Sequence, residues 1–196
     1  EGVLADFFHI PISLGSISAC EAAVSAALAQ PVQEAWEAAQ SADVLHADET
    51  GWREAKSKAW LWVAVTSVAT VFLIHAKRGQ VAARELLGVF GGVLVSDRWG
   101  GYSFYEGPRQ WCWAHLRRDF TACSEYRGSA GEIGAALLEH CDQMFHWWHR
   151  VRDGTLKRST FRQYMWRLRA DVEGLLREGT QCGHKKMERS CKRILK

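Results

Sequence analysis

The sequence predicts an α/β protein built on a mixed sheet, and three observations predict it. Two short apolar stretches, 44–47 and 93–96, each run directly into an aspartate, Asp48 and Asp97. Two further stretches, 60–66 and 70–75, are rich in the β-branched and aromatic residues that suit strands, with a short turn containing Ser67 between them. Residues 80–89 carry apolar side chains at helical spacing, with Val81, Leu86, Leu87 and Phe90 as the expected buried face, and Gly91-Gly92 ends the run. The order is strand, strand, strand, helix, strand.

That order is the opening of a ribonuclease-H-like fold, in which the first and fourth strands lie side by side. Asp48 and Asp97 would then stand at adjacent strand ends. Before the sheet, residues 14–40 are rich in Ala, Glu and Gln. Ser16 or Ser18 is placed to cap a helix through Leu28, and Pro31 suits the first turn of a second helix. From His115 onward the chain reads as mostly helical. Ile133, Leu137, Leu138, Cys141, Phe145 and Trp148 recur at helical spacing, as do Tyr164, Leu168, Val172 and Leu175; 128–131 and Asp153-Gly154 read as loops. Three segments follow: a helical lead-in at 1–42, an incomplete ribonuclease-H-like core at 43–112, and a mostly helical insertion at 113–196, basic toward its C-terminal end.

Composition narrows the class. At 196 residues, 47% hydrophobic and 24% charged, the chain has the make-up of a globular protein with a real core. The longest uncharged run, 59–74, is shorter than the ~20 residues of a membrane-spanning helix and is β-rich, and no secretory signal opens the sequence. Glu1 and Lys196 read as the ends of a segment of a longer protein or of a damaged gene. The six cysteines lack paired spacing, so reduced cytoplasmic thiols are expected. Cys112 with His115, and Cys182 with His184, are each half a zinc site at best. The net charge of +3 hides an uneven distribution, because residues 150–196 hold 14 basic and 5 acidic side chains. Such a segment suits a polyanion or a solvated helical face.

The chemistry sits with the two aspartates. Hard cations such as Mg²⁺ take oxygen ligands, and a pair of carboxylates with substrate phosphates is a common way to hold them. Two ions about 4 Å apart activate an attacking oxygen and stabilise a leaving one. Taken singly, each aspartate reads as a turn residue or helix cap; their recurrence after two strands expected to be neighbours raises the metal reading.

Four ordered blocks carry a resemblance: Asp48-Glu49-Thr50-Gly51-Trp52, then Trp60-Leu61-Trp62-Val63, then Ser96-Asp97-Arg98-Trp99-Gly100-Gly101-Tyr102, then Cys112-Trp113-Ala114-His115-Leu116-Arg117-Arg118-Asp119-Phe120. Together they resemble the insertion-sequence 66 family of bacterial transposases, from about Ile10 to the last residue. The resemblance implies a DDE-type enzyme that uses three acids and Mg²⁺ or Mn²⁺, two ions in the complete enzyme, to cut transposon ends and join them to target DNA. Asp48 matches the family's first acid and Asp97 its second. The third is a glutamate in an Asn-Asn-x-x-Glu-Arg block, which this chain lacks; Glu173, Glu178 and Glu188 do not have the matching neighbours. The expectation is a cytoplasmic bacterial transposase domain, inactive or nearly so as this chain, with DNA as partner, no membrane, and a homo-oligomer in the complete protein. The alternative is a catalytically dead remnant that binds only DNA or a full-length relative.

The remaining candidates are weaker. Arg98, His115, Arg117 and Arg118 are assigned to DNA contact, since the guanidinium fork suits phosphates; surface ion pairing is the competing reading for Arg117 and Arg118, and a satisfied histidine for His115. Strand alternation sends Glu49 to the face opposite Asp48, which favours a structural or solvent-facing role. His46 reads as a packed histidine. Trp147 and Trp148 read as core, and most of the ten tryptophans are expected to fill the interior.

Overall fold

The computed structural model describes residues 6–9 and 12–196, and the chain divides into two compact units, Glu1–Gln110 and Trp111–Lys196. Among the described residues no helix is long and apolar enough to cross a membrane. In the first unit, helix α1 spans Leu14–Gln40 as one element. Ser13 caps it by accepting the Ser16 N–H at 3.0 Å, so neither Ser16 nor Ser18 is the cap. The expected break at Pro31 does not occur. Proline removes one helical hydrogen bond, but the Gln30–Glu34 side-chain bond brackets it and Gln33–Glu37 supports the next turn, 2.8 Å each at i,i+4 spacing among good helix formers. Only the last turns of α1 pack: Ala39 is buried, and Ala35 and Trp36 lie against the core.

The sheet holds β1 (Val44–Glu54), β2 (Ser57–Val65), β3 (Thr70–His75), β4 (Val93–Ser96) and β5 (Arg109–Trp111), in the order β3-β2-β1-β4-β5. The expected order of three strands, a helix and a fourth strand is present. β1 pairs antiparallel with β2 and parallel with β4, with His46 opposite Val65 on one side and Val95 on the other. One boundary differs: β1 does not end at Asp48 but continues to Glu54 as a long hairpin with β2. The antiparallel ladder supplies hydrogen bonds beyond the point where β4 stops, which the glycine at Gly51 concealed in sequence.

Helix α2 (Gln80–Leu87) buries Ala82, Ala83, Leu86 and Leu87 against this sheet. Val81, expected on that face, is 70% exposed. It precedes the 82/83/86/87 stripe by one residue, a rotation of about 100°. The core beneath α2 gathers Leu45, Ala47, Trp62, Ala64, Val71, Leu94 and Tyr102.

The second unit comprises α3 (Trp113–Ser124), α4 (Ser129–Arg152), α5 (Arg158–Gly179) and α6 (Lys185–Ile194). The loop expected at 128–131 shrinks to Gly128, whose φ of 68° favours glycine, and Ser129 already begins α4. Leu116, Phe120, Ile133, Leu137, Cys141 and Leu176 form a core of its own. Trp147 packs on Tyr164 (4.8 Å) and Trp148 on Phe161 (5.8 Å), but both lie at the margin of the α4–α5 contact rather than in the core. Of the ten tryptophans only Trp62 is buried, because indoles here cover surface with one face and leave the other wet. All six cysteines are free thiols.

Candidate active site

β4 ends at the buried Ser96, and Asp97 is the next residue. The parallel register of β1 and β4 pairs His46 with Val95. Continued by two residues, it sets Asp48 beside Asp97 at the interstrand spacing of about 4.8 Å. Asp97 thus stands where β4 stops, and Asp48 where β1 continues alone on that side. Each carboxylate is steadied by a backbone N–H: Asp48 Oδ1 accepts from Glu49 and Asp97 Oδ1 from Trp99, both at 2.9 Å. Asp48 is exposed and Asp97 half-buried.

Beneath them lies a polar cluster. Glu49, one residue beyond Asp48, turns to the α2 face, where its side chain is 1% exposed. Arg78, at the end of the β3–α2 loop, donates to Glu49 Oε1 through Nε (2.9 Å) and Nη2 (2.6 Å). Tyr102, in a 3₁₀ turn at Gly100–Tyr102, donates its hydroxyl to Glu49 Oε2 at 2.9 Å. Burial pushes the Glu49 carboxyl above its usual range, against the opposing pull of Arg78 and Tyr102. The Tyr102 hydroxyl is held un-ionised by burial first, then by the negative fields of Glu49, Asp97 and Asp48. Glu49 alone of the three touches the phenol. Of the two readings of Glu49, the structural one holds.

Aromatic rings hold this cluster in place. The Arg78 guanidinium lies over Trp60 (5.1 Å) and Trp99 (4.5 Å). Trp99 in turn packs on Trp62 and edge-on to Tyr102, each at 5.9 Å. Gly101 is required for that placement, since a Cβ there would come within 1.7 Å of the Trp99 ring. Arg109 donates from Nη2 to Ser96 Oγ (3.3 Å), and its guanidinium pKa is lowered by burial against the favourable field of Asp97.

Among the described residues no three His, Cys, Asp or Glu side chains converge as a metal set. The candidate donor set is two carboxylates, oxygen ligands of the kind that Mg²⁺ or Mn²⁺ accepts while keeping water or phosphate ligands. The other predicted residues stand as follows. Arg98 is half-buried beside Asp97. His115, Arg117 and Arg118 all lie on α3 of the second unit, where Arg117 pairs with Asp142 at 2.9 Å on the surface and Arg118 is exposed. His46 is exposed rather than packed. His184 caps α6 and stacks on Tyr126 at 4.0 Å, a structural use. Glu173 pairs with Arg177, and Glu188 accepts the Gly183 N–H. Sequence reading missed Arg78 and Arg109, which sit in no motif; the signal for Glu49 was its parity in β1.

Comparison with protein families settles the lineage. The model of the transposase IS66 family matches residues 1–195, essentially the whole chain. The chain belongs to the IS66 transposase family. No curated protein and no solved structure matches it. In this IS66 family chain Asp48 lies on β1 and Asp97 directly follows β4, on a mixed sheet whose first and fourth strands are parallel neighbours.

Proposed function

We propose that this IS66 family chain is the catalytic part of a DDE-type transposase on a ribonuclease-H-like sheet, with Asp48 and Asp97 as two of its three acids. The observation that supports the reading is the parallel β1–β4 register, His46 opposite Val95, since Asp48 and Asp97 each follow that pair by two residues. Asp48 and Asp97 would hold Mg²⁺ or Mn²⁺, which supplies activation of an attacking oxygen and stabilisation of the leaving one at a DNA phosphodiester. The chain's own residues supply position. The Glu49 and Trp99 backbone N–H groups orient the two carboxylates, and the buried Tyr102–Glu49–Arg78 cluster fixes the segments that carry them.

DNA as partner also draws support from α6. Lys185, Lys186, Arg189, Lys192 and Arg193 are exposed there, opposite the buried Met187 and Cys191, and Lys196 is exposed just beyond. A ridge of six cations around a single acid, Glu188, suits a phosphate backbone. Because the Asn-Asn-x-x-Glu-Arg block is lacking, this chain alone is expected to bind metal and DNA and to join strands poorly or not at all. Calorimetric titration with Mn²⁺ tests the site. Wild type is expected to bind, and Asp48→Asn and Asp97→Asn are each expected to weaken binding at least 10-fold without loss of fold. Equal binding by all three would sink the assignment.

A further inference from the structure

Arg78 is over-determined for a loop arginine. Glu49 takes its Nε and Nη2 edge, Trp60 and Trp99 cover it, and yet 37% of its side chain faces solvent. Its Nη1 has no partner among the described residues. A second cation joins it: Lys58 Nζ, on an exposed residue of β2, lies 5.6 Å from the centre of the same Trp60 ring. Two cations gather on one indole, and Glu49, the carboxylate that Arg78 pairs with, is already engaged. Each cation is held by the ring, and Glu49 engages only Arg78 of the two, so an anion that docks beside Trp60 would meet two positive charges.

The sheet leaves room for one. Trp60 pairs across the β1–β2 ladder with Gly51, and a side chain at Gly51 would meet nothing within 4 Å. The surface at Gly51, across the ladder from Trp60, is therefore open. A planar guanidinium held flat with one edge free is suited to a tetrahedral phosphate, and an indole to the sugar or base beside it.

We infer that Lys58, Trp60 and Arg78 form a phosphodiester-binding site for duplex DNA flanking the reacting bond. The inference rests on the transposase reading above. Gly51 is three residues beyond Asp48 along β1, about 10 Å, or roughly three nucleotide steps. Strand alternation puts the site on the opposite face of the strand from Asp48. It therefore grips flanking backbone rather than the phosphate under attack. Glu49 and Trp99 are positioning residues for Arg78: they set the plane and the free edge of the fork.

The test is the salt dependence of binding to a fluorescein-labelled 20-base-pair duplex, measured by anisotropy on the full chain, beside Mn²⁺ titration. Arg78→Gln and Lys58→Gln are each expected to lower affinity roughly 5- to 10-fold near 0.1 M salt and to flatten the log–log salt slope by about one phosphate's worth. Mn²⁺ affinity should stay unchanged in Lys58→Gln. Arg78→Lys should keep the slope and lose part of the affinity, because the charge stays and the fork does not. Lys58 is exposed, so its variant reports even if Arg78→Gln unfolds on melting analysis. Unchanged affinity and slope in Lys58→Gln and in a folded Arg78 variant overturn the inference while leaving the acids' assignment intact. Loss of Mn²⁺ binding in wild type with these DNA effects preserved overturns the metal reading alone. No DNA binding by wild type overturns the inference.

Discussion

At Asp48 and Glu49, a shift of one residue separates an exposed acid from a buried one. The period of a β-strand is two, so consecutive side chains leave on opposite faces, and that much of Glu49 was legible from parity. Its partners were not. Arg78 lies 29 positions away and Tyr102 lies 53 away, and only the folded sheet brings their donors to one carboxylate. The same scale governs the thiols. Burial, aided by Asp142, pushes the Cys141 thiol up to about 11. The raised value keeps the neutral thiol in the folded state, so thiolate appears only as pH climbs through that value. At pH 8 roughly one Cys141 in a thousand is thiolate. A chromogenic disulfide reagent at pH 8 is expected to titrate exposed Cys20 at once. Cys123, Cys141 and Cys191, all buried, should react only after denaturant is added. Rapid reaction of all six in native buffer would show that the α3–α6 core is not closed around them.

At the scale of elements, local preference was overruled wherever a neighbour supplied hydrogen bonds or contacts. β1 runs past Asp48 because β2 continues to pair with it, and α1 runs through Pro31 with i,i+4 side-chain bonds supporting the turns that follow. Helix α6 escaped the sequence reading because its polar face is nearly all cationic. Only Met187 and Cys191 mark its buried side, which is too few to show a period. The packing of α3 on α4 depends on a small residue. A Cβ at Gly134 would come within 2.5 Å of the Cys123 carbonyl carbon and of the Ser124 nitrogen, both backbone atoms that cannot rotate away. Gly134→Ala is therefore expected to push the two helices apart. It should cost about 1–3 kcal/mol, against the stabilising effect of the same change in a free helix. Chemical denaturation followed by far-ultraviolet circular dichroism measures it, and an unchanged or raised midpoint would mean that the helices are not in contact there.

At the scale of the whole molecule, the chain carries two separate hydrophobic cores, one under α2 and one among α3–α6. Each unit satisfies its own packing, so a fragment of residues 111–196 is expected to fold by itself. Its signature would be a helical spectrum and a cooperative melt; a chain that stays unfolded in isolation would show that its core depends on residues outside it. What the sequence by itself determined is what periodicity and motif encode. That comprises the order of three strands, a helix and a strand, the two acids after apolar runs, the basic final quarter, and the family. These are readable because backbone geometry imposes periods of 2.0 and 3.6 on burial, and because the motif blocks are contiguous. Tertiary structure alone decided that His46 pairs with Val95, that Glu49 is an anchor for Arg78, and that Lys58 and Arg78 meet on one indole. Those facts depend on which residues distant in sequence lie within a few ångströms. Hydrogen bonds and ion pairs have that reach, and a linear pattern carries no record of it.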